Sequence, residues 1–174
     1  MRTAGLWLLR IVVALALLIV AGFAALGLVV RGQLSRKFTV ADVALNIPSD
    51  SAAIARGQHL NVIFNCRGCH GADLEGTVMF EAPPVGRLCA PNLTRTGVTR
   101  SFTPSDWNRA VRHGVKPDGT GLMIMPAELF HGLSDADLGA IVAYAQSLPP
   151  VDKVVPPSRL RPVGWLMAMM LPDG

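Results

Sequence analysis

Cys66-Arg67-Gly68-Cys69-His70 is the stretch that decides how this chain reads. Two thiols three positions apart, followed at once by an imidazole, form the C-x-x-C-H pentad of c-type haem attachment. Each thiol can form a thioether to a vinyl group on one edge of the porphyrin. The histidine after the second thiol then lies under the iron, where an imidazole nitrogen can ligate it. Rival readings need residues that are missing. A zinc site wants two more Cys or His at ligand spacing, such as H-x₃₋₅-H. Here His113 and His131 stand 18 apart and no second C-x-x-C exists. A thioredoxin-like pair wants a βαβ pattern around it, and the flanks read as helical. The expected cofactor is one covalently bound haem c, held by Cys66 and Cys69, with His70 as an iron ligand.

Working outward toward the amino terminus, Ile11 to Val30 reads IVVALALLIVAGFAALGLVV, 20 residues without a charge. At about 1.5 Å per residue such a helix spans roughly 30 Å, the thickness of a hydrocarbon core. A cleaved signal peptide is the alternative, with Ala21, Ala24 and Ala25 as small residues near a cleavage point, but its apolar core runs only about 7–15 residues. Length favours a retained anchor: residues 1–30, crossing the membrane at about 11–30. Arg2, Arg10 and the α-amino group precede the span, and Arg31, Arg36 and Lys37 follow it, so the positive-inside rule gives a tie. Haem c is attached outside the bacterial cytoplasm, which breaks that tie. The expectation is a single-pass protein of the cell membrane, N-terminus cytoplasmic, with residues 31–174 on the periplasmic or extracellular side.

The net charge of +4 would by itself suggest an acidic partner, but it is unevenly spread. Residues 1–37 hold five Lys/Arg and no acid, giving +5; residues 38–174 hold eleven Lys/Arg and twelve Asp/Glu, giving −1. The surplus therefore sits around the anchor, and nucleic-acid binding is not supported.

Residues 31–48 lack a sustained apolar period and end on a proline, as a tether would. The folded domain is expected over 49–150, opening at Ser49 or Ser51 as N-cap. SDSAAIARGQHLNVIFNC then reads as a helix with Ile54, Leu60, Ile63 and Phe64 to one side, delivering Cys66 to the haem edge. Pro83, Pro84, Gly86, Pro91 and Gly97 mark a loop-like stretch. Thr103-Pro104-Ser105-Asp106 starts a helix that Gly114 ends. In the last helix Ser134 caps, Asp135 and Asp137 occupy the anion-favouring first turn, and Pro149 stops it. Its Leu138, Ile141, Val142, Ala145 and Leu148 recur at i, i+3, i+4, i+7. No internal repeat is visible. A domain of about a hundred residues has little apolar surface to bury, so a covalent porphyrin would serve as core as well as cofactor, and its removal should unfold the domain.

From about Ser51 to Pro150 the chain resembles a class I c-type cytochrome, the single-haem, membrane-tethered bacterial type. ARGQHLNVIFNCRGCH, APNL at Ala90–Leu93, and MIMP at Met123–Pro126 followed by LSDADLGAIVAYAQSLP carry the resemblance in order. It implies an all-α, haem-enclosing fold after one N-terminal transmembrane helix, with Gly57 and Tyr144 where the first and last helices of the domain cross. It implies His70 as proximal ligand and, on the loop before the last helix, a distal methionine. Met125, directly before Pro126, matches best, and Met123 is the alternative. The Pro91 carbonyl would accept a hydrogen bond from the proximal imidazole, Leu93 would pack on the porphyrin face, and Trp107 would either offer its indole N–H to a propionate or be a core residue of its amphipathic helix. The spacing from His70 to Pro91 exceeds that of compact members, which places an insertion at Gly76–Leu88. Arg87, Arg95, Arg100, Arg109, Arg112 and Lys116 form a basic run suited to the propionates or to an acidic redox partner. His113 reads as surface or propionate-proximal, His59 and His131 as structural or exposed, and Cys89 as a small buried hydrophobe, with pairing to another chain as the alternative.

The tail, 151–174, is punctuated by prolines and ends on VGWLMAMML, Val163–Leu171, too short to cross a bilayer. It would lie at the membrane interface or dock on a larger complex, with plain disorder as a third alternative. A His/Met-ligated haem has no open iron position and a raised potential. The expected function is thus single-electron transfer by a membrane-anchored cytochrome c, as a subunit of, or tethered carrier for, a respiratory or photosynthetic complex. Its partners would be redox proteins or such a complex, and membrane lipid. The alternatives are the electron-accepting subunit of a periplasmic dehydrogenase, or a haem enzyme or gas sensor with an open iron.

Overall fold

The structure, a computed structural model, describes residues 2–170 and the side chains of residues 5–170. Met1, the Arg2 side chain and residues 171–174 lie outside that description, and with them the α-amino and Arg2 charges and Leu171 of the apolar tail. Helix α1, Arg2–Leu34, contains no proline and runs past both ends of the apolar stretch. Its segment Gly5–Leu34 is long and apolar enough to cross a membrane. From Gly5 its residues are exposed as far as Ala25 and become covered only at Leu26, Gly27 and Val30.

The haem-motif domain is mostly helical. Helix α2 spans Ser51–Ile63, and its N-cap is Asp50, whose carboxylate accepts from the Ala53 N–H at 2.9 Å. Asn65 then takes a left-handed conformation, φ 55°, and splits off a short α3, Cys66–His70. The helix expected to run unbroken into Cys66 is therefore two, because asparagine tolerates the left-handed region at little cost. Helix α4, Pro104–His113, starts on a reciprocal capping box between Thr103 and Asp106 and ends on left-handed Gly114. Helix α5 is the single turn Ala127–Phe130, and α6 covers Asp135–Ser147 under a Ser134 cap. Every residue from Leu138 to Ala145 is buried, so α6 is enclosed on nearly all sides instead of burying one stripe.

Helices α2 and α6 cross where a glycine-sized gap lets backbones touch. A Cβ on Gly57 would land on the Ala140 carbonyl and within 2.9 Å of Tyr144 Cβ. Buried Asn61 donates to Gly57 O at 2.8 Å and Ile141 O at 3.3 Å, joining the helices from inside. The Arg56 guanidinium meets Asp137 at 2.7 Å at the edge and holds that carboxyl below its usual range. Leu45, Leu74, Trp107, Val111, Phe130, Leu138, Val142 and Tyr144 form the core beside this crossing.

Two segments are more ordered than the sequence suggested. Between the anchor and the domain, the chain is an extended strap. Phe38 N–H donates to Gly119 O (2.9 Å), Val43 O accepts from Asn108 (3.0 Å), and Leu45 is buried in the core. The stretch read as loop holds a hairpin, β1 Thr77–Ala82 against β2 Gly86–Ala90, to which the tail adds β3, Arg159–Leu160. The sheet is antiparallel, in the order β1-β2-β3. The expected helical class therefore holds: the domain is mostly helical and carries one small sheet besides. Strand β1 is largely exposed, so it lacks the half-buried alternation by which strands are recognised. Helix α7, Pro162–Ala168, follows β3 and lies against α1, with Trp165 carbons 3.1 Å from where a Gly27 Cβ would stand.

Gly57→Val is expected to destabilise the domain by at least about 2 kcal/mol through overpacking at the crossing. Gly22→Ala, where nothing lies within 4 Å, should leave the thermal midpoint unchanged. Thermal unfolding of the detergent-solubilised chain, followed by circular dichroism, compares them.

Candidate functional site

The C-x-x-C-H pentad occupies α3, and the loop after it folds back beneath His70. Gly71 and Gly76 take positive φ, 89° and 83°, and Leu74 between them has φ 58° while only 1% exposed. A left-handed leucine persists only where its surroundings hold it. Here they do: Leu74 N–H donates to Gly71 O at 3.1 Å, and Leu74 O accepts from Leu93 N–H at 2.8 Å. Gly76 N–H donates to His70 O at 2.6 Å. A Cβ on Gly76 would stand 2.6 Å from Asn92 N and 2.7 Å from Pro91 C. The close backbone approach at Gly76 therefore sets residues 91–93 beside the pentad.

That placement puts His70 Nδ1 2.8 Å from Pro91 O. The carbonyl can only accept, so the proton is assigned to Nδ1, and Nε2 keeps its lone pair. Burial pushes the imidazole below its ordinary value, while the Pro91 carbonyl opposes that shift. His70 is thus a neutral, oriented imidazole, the form that ligates a metal. Burial pushes the Cys66 thiol up to about 11. Such a thiol lacks the depressed value of a catalytic thiolate. Among the described residues no group of three or more His, Cys, Asp or Glu is arranged to hold a metal ion.

The other predicted site residues fall into two places. Cys66, Leu93 and Met125 all pack, partly buried, against the core that contains Trp107. Met123 instead lines a cleft beside α1 and Trp165. Trp107 is 5% exposed, meets Phe102 edge-on at 5.5 Å, and its Nε1 has no hydrogen-bond partner. An open cleft of about 380 Å³ lies between Leu93 and Phe102, with Arg95, Thr99, Arg100 and Gln146 around it. His113 and His131 pair edge-to-face at 5.3 Å on the surface, and His59 is exposed. Cys89 is buried on β2, its N–H bonded to Ser158 Oγ at 2.9 Å.

A haem fits what is present. Two unpaired thiols precede a neutral imidazole with a free nitrogen, a thioether stands against the same apolar core, and a buried indole N–H lacks an acceptor. The apolar walls suit a porphyrin face, and the guanidinium groups suit its carboxylates. The sequence pointed to these residues but not to Gly76, Leu74 or the Asn92–Thr94 knot. Asn92 Oδ1 there accepts from Thr94 N–H at 2.8 Å, and Asn92 Nδ2 donates to Val151 O at 2.8 Å. The glycines at 71 and 76, so close after the pentad, were the available signal.

Residues 52–144, more than half of the chain, match the family described as Cytochrome C oxidase, cbb3-type, subunit III. The chain belongs to this family of c-type cytochromes. Its cofactor is covalently bound haem c. The cytochrome is similar, at 28% identity over 116 residues, to the fructose dehydrogenase cytochrome subunit of Gluconobacter japonicus (62% of this chain, 24% of that protein). It is 28% identical over 134 residues to the alcohol dehydrogenase (quinone), cytochrome c subunit, of Gluconacetobacter polyoxogenes (72% and 28%). It is 31% identical over 103 residues to the gluconate 2-dehydrogenase cytochrome c subunit of Pantoea cypripedii (55% and 23%). The cytochrome thus spans about a quarter of the length of these three relatives.

Gly76→Ala should strain the positive-φ backbone and push Pro91 from His70, destabilising the holoprotein by roughly 1–3 kcal/mol. Loss of the carbonyl makes the imidazole a weaker donor, so the haem midpoint potential is expected to rise. A spectroelectrochemical titration beside a thermal melt checks both.

Proposed function

We propose that this chain is a membrane-anchored, single-haem electron carrier, with its N-terminus in the cytoplasm and its haem domain outside. Cys66 and Cys69 would form the thioethers, His70 Nε2 would ligate the iron on one side and Met125 on the other. The haem supplies a site that takes up and gives back one electron. This chain's residues do the rest. The Pro91 carbonyl holds the imidazole by its Nδ1 proton. Leu93 and the core around Val142 and Phe130 exclude water, which limits reorganisation when charge changes. The Trp107 N–H would meet a propionate.

One observation carries the reading: Met125 lies on the same core as Cys66 and Leu93, while Met123 lies in another cleft. A thioether there closes the sixth iron position, so the protein relays electrons and does not turn over a substrate. The same observation disfavours a gas sensor or haem enzyme. The relatives' names, cytochrome subunits of fructose, alcohol and gluconate dehydrogenases, favour a partner of one kind. We therefore read the chain as accepting electrons from a periplasmic dehydrogenase and passing them to a membrane-bound acceptor, with catalysis in another polypeptide.

Met125→Ala is expected to convert the haem to a high-spin form and lower its midpoint potential, since methionine ligation raises it. Met123→Ala should leave spectrum and potential at the wild-type values. The reverse pattern would transfer the sixth ligand to Met123.

A further inference from the structure

The covered end of α1 borders a cleft of about 470 Å³ that the haem site does not use. Its apolar side is Ala24, Gly27 and Leu28 of α1 together with Leu160 and Trp165 of the tail. Its polar side holds Arg31, Ser35 and Arg159. Neither guanidinium has a carboxylate partner among the described residues. The apolar walls begin inside the stretch suited to hydrocarbon and the two arginines stand just beyond Val30, where headgroups would lie. Trp165, an interfacial residue type, closes the cleft against Gly27. Leu166 and Met167 of α7 and Met170 just after it are exposed, at 44%, 54% and 83%, as a surface for acyl chains.

We infer that this cleft holds one anionic phospholipid, its headgroup phosphate between Arg31 and Arg159 and an acyl chain along Ala24 and Leu28 beneath Trp165. The inference rests on α1 spanning the bilayer, as proposed above. Arginine suits the role, since its planar fork matches phosphate oxygens, and basic pockets beside spanning helices take lipid headgroups. The apolar walls separate this from a site for free phosphate. The bound lipid would complete the α1–α7 contact and fix the haem domain's height and tilt on the membrane. Because Met123 also lines the cleft, on the segment that leads to Met125, the lipid would abut the loop carrying the sixth ligand.

The test is native mass spectrometry of the full-length holoprotein released from neutral detergent. It is offered phosphatidylglycerol, phosphatidylcholine of the same chains, inorganic phosphate, or a neutral isoprenoid quinone. One phosphatidylglycerol should be retained about tenfold or more over phosphatidylcholine, whose phosphate is the same but whose choline cation cancels its charge and would stand against the two guanidinium groups. The double variant Arg31→Gln, Arg159→Gln should lose that preference while keeping the haem spectrum, and Arg10→Gln, at the far end of α1, should keep it. Equal retention of the two lipids, an unchanged preference in the double variant, or a loss equally large in Arg10→Gln would overturn the proposal. So would inorganic phosphate binding as well as the lipid, or quinone displacing it regardless of the arginines. Alkaline carbonate washing of vesicles separates the two readings. Release of the wild-type chain would sink the anchor and the cleft together, whereas retention without lipid preference would sink the cleft alone.

Discussion

The 2.8 Å approach of His70 Nδ1 to the Pro91 carbonyl ties together the two parts of the chain on which the site depends. It requires residues 91–93 to lie under the pentad, and that in turn requires the sharp return through Gly71, Leu74 and Gly76. Leu74 accepts positive φ because its side chain fills the core and its carbonyl holds Leu93. The strain, of order 1–3 kcal/mol for such a residue, is offset by burying one of the largest enclosed side chains in the domain. The neutral imidazole follows from the same packing, because burial disfavours its charged form. Local sequence, backbone strain, core packing and ligand chemistry are here one constraint.

What the residues disclosed followed from how local each signal is. C-x-x-C-H names its chemistry by spacing alone, and the Thr103 and Ser134 caps fix helix starts within a few positions. The α2–α6 crossing was harder to read from periodicity. Its buried residues on α2 are Gly57 and Asn61, a glycine and an amide, while Ile63 is 58% exposed. Helices that touch through backbone bury small and polar residues, and an apolar stripe does not report them. The hairpin escaped notice for a related reason. Val78, Met79 and Phe80 face solvent, and Pro83-Pro84 looks like loop until β2 and the distant Arg159–Leu160 supply its partners. Resemblance supplied the Pro91 and Met125 roles and favoured Met125 for its place before Pro126; the three-dimensional arrangement adds that Met125 packs on the core while Met123 lines another cleft.

The domain is also attached to its anchor more firmly than a flexible linker would allow. The strap after α1 contributes Leu45 to the core, and β3 and α7 bring the tail back across the hairpin to Gly27. Two connections, one on each side of the domain in sequence, converge on the same end of α1. With α1 in the membrane, as proposed above, such a mount would restrict the distances a haem edge can sample relative to the bilayer, which would suit transfer to a fixed acceptor better than diffusion over a wide radius.

The most direct test of this account is the visible spectrum of the wild-type full-length protein, ferric and ferrous, with and without carbon monoxide. The account predicts a low-spin haem in both states that carbon monoxide leaves unchanged, because His70 and Met125 would occupy both axial positions. A five-coordinate ferrous spectrum that shifts on adding the gas would contradict it, placing Met125 off the iron and reopening a catalytic or sensing role.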